Sequence, residues 1–245
     1  MIRLFRTLCA LCALRAPGVR GGACTSFGVL WLASLCVLGA LCVLPIGCGD
    51  DESSRPPEET AEQITAAGWD AYEDGKMPEA LECFQRAIGK DPEYEPAYVG
   101  EGWTRLALAQ GEAPRSLALA RFGEALRRSA GDPDALAGRA AVLLAYGWDS
   151  LDVAAEAAAG ALALEPAYVF LHRATFNADD LRLIMAYTKA VRGDLAGALE
   201  AAEAIEASGF VQDDAATWRV DGVAYDSFAG AVLAWLDKLS RETAG

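Results

Sequence analysis

Gly68-Trp69 recurs as Gly102-Trp103, 34 residues later in a chain of 245. A fixed period in this range is the mark of stacked supersecondary units, and 34 suits a helix–turn–helix unit. Each such unit hides its apolar face only against its neighbours, so the spacing constrains both the fold and the number of copies needed. The second half of the unit repeats more fully. Ala80-Leu81-x-x-Phe84-x-x-Ala87 is followed by Asp91-Pro92, and Ala118-Leu119-x-x-Phe122-x-x-Ala125 by Asp132-Pro133. Ala154-Ala155-x-x-Ala158-x-x-Ala161 is followed by Glu165-Pro166, while Ala198-Leu199-x-x-Ala202-x-x-Ile205 has no proline after it. The i, i+4, i+7 spacing puts these residues on one helical face. Small residues at its first and third positions let helices approach closely, and Phe84 and Phe122 are expected buried between their own first helix and the next unit. An acidic residue followed by proline closes one helix and opens the next, since proline fits a first turn and not an interior.

With these residues aligned, the chain resembles the tetratricopeptide repeat family. Residues 61–94 carry Gly68, Gly75, Ala80, Phe84, Ala87 and Pro92 at the family's positions, and residues 95–133 carry Tyr98, Gly102, Ala118, Phe122, Ala125 and Pro133. Residues 134–166 match through Ala140, Gly147, Ala154, Ala161 and Pro166, with Ala158 in place of the aromatic, and 179–208 match more loosely through Ala186, Gly193, Ala198 and Ala202. The resemblance implies an all-α, right-handed α-solenoid of about four helix pairs. Beyond it, residues 210–245 break the period. Asp213–Val220 and Asp226–Arg241 read as helices, and the second has a stripe of Phe228, Val232, Trp235 and Leu239 that suits a terminal cap.

The N-terminus is a separate segment. Residues 1–47 hold Arg3, Arg6, Arg15 and Arg20 with no acidic residue, and Val29–Ile46 is uncharged. A basic stretch before an apolar one is the pattern of a secretory signal, and the run is also long enough to span a bilayer as an uncleaved anchor. Gly47-Cys48 at its end resembles the bacterial lipoprotein processing site, although Pro45 stands where that family favours leucine. The resemblance implies a lipidated Cys48 at the head of the exported chain. Cys9, Cys12, Cys24, Cys36 and Cys42 would then leave with the signal, so Cys83 would remain as an unpaired, structural thiol. Residues 48–60, rich in Asp and Glu, read as an acidic flexible tether.

Charge and motifs bound the activity. Four of the 21 basic residues and none of the 35 acidic ones lie in 1–47, leaving 17 against 35 and a net −18. Phosphate contacts need a basic face, so nucleic acid is not an expected partner. No catalytic triad, zinc spacing or phosphate-cradling loop is written in the chain, so neither a cofactor nor a metal is expected, nor a small-molecule substrate. The one histidine, His172, lies in an insertion, 167–178, between the third and fourth units, and is the position around which an envelope enzyme or enzyme subunit would be built.

In the family it resembles, first helices line a concave surface. That places Thr65, Trp69 and Tyr72, then Val99, Trp103 and Leu106, then Ala137, Ala141 and Leu144, then Leu183 and Tyr187 on the groove. The Lys, Arg and Asn clamp with which a subset of that family holds a peptide's terminal carboxylate is missing at these positions. The expectation is an exported, membrane-anchored scaffold or assembly factor of the bacterial cell envelope, binding a protein or peptide through Trp69, Tyr72, Trp103 and Tyr187. The alternative for Trp69 and Trp103 is packing between units.

Overall fold

The computed structural model describes residues 58–109, 112–173 and 175–243. The signal, Cys48 and all of the tether before Glu58 lie outside them. The first residues described are docked: Glu58 pairs with Lys90 and Glu59 with Arg86, both at 2.6 Å.

Four helix pairs follow in order. α1 (Ala61–Glu73) packs with α2 (Met77–Lys90), α3 (Glu95–Leu108) with α4 (Glu112–Arg128), α5 (Pro133–Tyr146) with α6 (Leu151–Leu164), and α7 (Ala178–Val191) with α8 (Leu195–Glu203). The odd-numbered helices also touch in series, so the first helices form a row and the chain stacks as a solenoid. Local chemistry sets the boundaries. Thr60 and Gln63 form a reciprocal capping box that starts α1, and Asp132 accepts the Ala135 amide at 2.6 Å before Pro133 opens α5. Asp91 and Glu165 stand instead at helix C-termini, so their prolines fall in the connections. The turns inside units one, three and four each use a glycine at positive φ, Gly75, Gly147 and Gly193, where a Cβ would be strained.

Phe84 and Phe122 sit where the repeat places them, both 0% exposed. Each ring lies between backbones that carry no side chain. A Cβ on Gly68 or Gly100 would come within 2.8 and 2.2 Å of the Phe84 ring, and one on Gly102 or Gly138 within 2.7 and 2.2 Å of Phe122. The glycines of the repeat are therefore slots for the aromatic of the second helix. Beside them Glu101, fully buried, joins three helices: Arg105 Nε and Gln85 Nε2 donate to it at 2.8 and 3.3 Å. Arg121 adds an ion pair at 2.7 Å that is not aligned as a hydrogen bond. A buried carboxylate is tolerated only with such partners.

The fourth unit is closed by α9 (Phe228–Glu242), which packs on α7 and α8 and buries Phe228, Val232, Trp235 and Leu239, the stripe expected of a cap. The helix expected over Asp213–Val220 does not form. That stretch holds one 3₁₀ turn, Ala215–Thr217, and then β1 (Arg219–Val220), which pairs antiparallel with β2 (Val223–Ala224). Asp221 and Gly222, at φ of 51° and 81°, make the tight turn between them. An Asp-Gly pair with both φ positive matches the right-handed twist of a hairpin, and that local signal overrides helix propensity. Among the described residues no helix is long and apolar enough to cross a membrane.

Candidate functional site

The row of first helices does present one continuous face, but the chain covers it with its own insertion. After α6, residues 168–173 and 175–178 form a narrow loop. Phe170 N–H donates to the Phe176 carbonyl at 3.0 Å, Ala178 N–H to the Tyr168 carbonyl at 2.7 Å, and Val169 bridges Asn177. Side chains alternate across it. Tyr168, Phe170 and Phe176 point inward and are buried, whereas Val169 is exposed and Leu171 is 83% exposed.

Phe170 is the wedge. Its ring stacks on Trp103, with centroids 4.1 Å apart and planes 18° apart, and meets Trp69 and Tyr72 edge-on. Phe176 meets Trp103 from another side at 5.3 Å. The Tyr168 hydroxyl donates to Asp134 Oδ1 at 2.8 Å, and the Trp103 indole N–H to the Asp134 carbonyl at 3.2 Å. His172 lies flat on Trp69, centroids 3.8 Å apart and planes 1° apart, and its Nδ1 is 2.7 Å from Glu73 Oε1.

This arrangement corrects the expected open groove. Trp103 is 1% exposed, and Tyr72 and Tyr187 are also buried. Thr65, Val99, Ala137, Ala141 and Leu144 are buried too, and Leu183 is buried separately, in the cluster formed with α8 and the cap. The physical reason is apolar area: a row of aromatics left in water is unfavourable, and the chain supplies three further aromatics to cover it. Trp69 alone of the two tryptophans keeps a half-exposed position, under His172. Trp69 and Trp103 are still linked as the spacing suggests, through Phe170 between them. A signal for the loop was available in the chain: the alternation Tyr168-Val169-Phe170-Leu171 has period two, which belongs to an extended segment with one buried side.

Electrostatics at the far edge are acidic. Burial, then the charges of Asp132 and Asp134, push the Glu95 carboxyl up to about 7. Burial also raises Asp132 and Asp134 above the usual carboxylate range, opposed in part by backbone N–H groups at Asp132 and by Tyr168 at Asp134. The Tyr168 hydroxyl is driven up by burial and by its Asp134 partner, so it remains a donor. Glu95 at the start of α3 thus meets Asp132 at the cap of α5 as an acid meeting a carboxylate. Cys83 is half-buried and its thiol is pushed up by burial, which lowers thiolate character. Among the described residues no group of three or more His, Cys, Asp or Glu could hold a metal.

Consecutive helix pairs in register, glycine slots and buried second-helix aromatics define a tetratricopeptide-type α-solenoid. Comparison with solved structures agrees. YrrB, described as a tetratricopeptide protein with an unusual peptide-binding site, is 19% identical over 75% of this chain and 80% of its own, with a TM-score of 0.51. TTC0263 of Thermus thermophilus is 17% identical over 76% and 90%, at 0.47, and MamA 16% identical over 58% and 74%, at 0.48. No protein-family model matches the chain, and no curated protein does.

Proposed function

We propose that this protein is an exported lipoprotein, acylated at Cys48, that holds a repeat scaffold at a bacterial cell-envelope membrane and captures a protein partner as an extended segment. The observation that carries the binding half is the built-in occupant: an extended stretch of polypeptide lies across the first helices with its aromatics in the slots between them. A face that holds one such segment has the shape and chemistry for extended peptide. YrrB, similar in fold, has an unusual peptide-binding site by its description, which is the same class of ligand.

Energetics decide which part of the groove a partner takes. Exposing a buried aromatic costs about 1.5–3 kcal/mol, and exposing Tyr168, Phe170 and Phe176 together would offset most of a micromolar affinity. Those three stay. At the tip, His172 lies on Trp69 with both rings part-exposed and Leu171 in solvent, so the partner docks at the first-unit end.

The test is site-specific photo-crosslinking in membranes of cells expressing the full chain. A crosslinker at Leu171 is expected to give a discrete protein adduct that a crosslinker at exposed Leu233 on α9 does not. The same adducts from both positions would contradict a localised binding edge. For the anchor, intact-mass analysis of membrane-extracted protein should show a lipid-modified chain beginning at Cys48, and Cys48→Ser should release or misprocess it. A mature chain that starts elsewhere with no lipid mass ends the lipoprotein reading.

A further inference from the structure

At the first-unit end the chain fills a cation site with its own side chain. Trp69 and Glu73 are one turn apart on α1 and share a face. His172 lies parallel on the indole at 3.8 Å with a ring nitrogen 2.7 Å from the Glu73 carboxylate. A planar group that covers an indole while aiming an N–H at a carboxylate is also what a guanidinium does best. It is flat, always charged, stacks on tryptophan and donates in a fork. The imidazole reproduces that geometry with fewer donors and holds the site through its tether to the loop.

The surroundings favour a cation. Asp134, on the third unit, interacts electrostatically with His172. Glu73 has no partner among the described ion pairs other than His172, and outside residues 1–47 the chain carries a net −18 from 17 basic and 35 acidic residues. The occupant is also the least secured part of the loop. His172 keeps 24% of its side chain in solvent and Leu171 83% of its surface, whereas Phe170 and Phe176 keep 0 and 1%. The His172 side chain can therefore swing out while the wedge stays. Arg173 stands beside the Tyr72 hydroxyl and is tied to the wedge, its N–H donating to the Phe170 carbonyl at 3.0 Å and its carbonyl accepting from Phe176 N–H at 2.9 Å, so what leaves is the His172 side chain.

We propose that an arginine side chain on a basic, extended segment of a partner protein displaces His172 and takes its place between the Trp69 face and the Glu73 carboxylate. This rests on the reading of the groove edge as a partner site. Lysine fits less well, because a compact ammonium cannot both cover the indole and fork onto the carboxylate.

The experiment is fluorescence anisotropy of the full chain in detergent with a labelled Gly-Ser-Arg-Ser-Gly peptide and its lysine and citrulline counterparts. His172→Ala opens the site and should bind the arginine peptide at least about fivefold more tightly than the unmodified chain. Glu73→Gln, a change at a half-exposed carboxylate, should abolish that gain when added to His172→Ala and weaken arginine binding on its own. Equal affinity of the unmodified chain and His172→Ala overturns the proposal, as does Glu73→Gln with full binding. Equal binding of arginine and citrulline peptides overturns the guanidinium site but leaves an extended-segment groove standing. No binding of any peptide to His172→Ala overturns both.

Discussion

Gly100→Ala and Gly123→Ala are the same chemical change in two helix interiors, and the structure gives them opposite signs. A Cβ at Gly100 would stand 2.2, 2.4 and 2.5 Å from three atoms of the Phe84 ring. The ring has little room to retreat, because it already packs so closely on Gly68 that a Cβ there would come within 2.8 Å. Accommodation must come from moving α2 against α3, across the boundary of the first two units. Overpacking of this kind costs about 1–3 kcal/mol, set against a gain of about 1 kcal/mol in helix propensity. The severity of the clash puts Gly100→Ala at a net loss of about 1–2 kcal/mol. Gly123, on the exposed side of α4, has nothing within 4 Å of a built Cβ, so Gly123→Ala should gain about 0.5–1 kcal/mol. Urea denaturation followed by far-ultraviolet circular dichroism reads both. Two variants of equal stability would mean that the glycine is not a slot for Phe84. A double-mutant cycle sharpens the test. Phe84→Ala alone should cost about 3–5 kcal/mol, and Gly100→Ala made in that background should no longer destabilise.

Three further outcomes follow from particular side chains. The Glu95 carboxyl is held up to about 7 in the fold against an ordinary 4.5, so between those values the folded chain holds a proton that the unfolded chain loses. Stability should therefore fall as pH rises from about 4.5 to 7 and level off above, by about 1–2 kcal/mol after solvent screening of this partly exposed group. Glu95→Gln should flatten the slope and be the more stable protein in mild alkali. The residual slope belongs to Asp132, Asp134 and Asp180, which are raised as well. An unchanged pH profile in Glu95→Gln would count against the shared-proton contact with Asp132. Phe170→Ala should cost about 3–5 kcal/mol and open Trp103 to acrylamide quenching; a loss under about 1 kcal/mol would mean that the loop is not part of the core. Gly222→Ala, at φ of 81°, should weaken the β1–β2 turn by about 1 kcal/mol, read by the same denaturation assay, and no effect there would argue against a positive-φ turn.

The repeat is legible in the sequence because it records contacts between neighbours. Phe84 meets Gly68 and Gly100 through a spacing that the chain itself carries, and the cap stripe from Phe228 to Leu239 is likewise local. The fate of the tryptophans is not legible from that spacing. Trp69 and Trp103 are covered by Phe170 and His172, which belong to a connection outside the repeat, so periodicity carries no information about them. Family resemblance favours an open face, whereas the cost of leaving Trp103 and Tyr72 in water argues for a cover. The hairpin escapes a sequence reading for the opposite reason. Its signal, Asp221-Gly222, is two residues long and lies just beyond a stretch that reads as helix.

His172 is the only histidine in the chain, so its ring protons are identified without ambiguity in a nuclear magnetic resonance spectrum. With the imidazole parallel to the Trp69 indole at 3.8 Å, those protons lie over the indole ring current. They should be shifted strongly upfield of a free histidine and show nuclear Overhauser contacts to the Trp69 ring. His172 protons at ordinary positions, with no contact to Trp69, would place the insertion off the groove and overturn the account of a self-filled binding face.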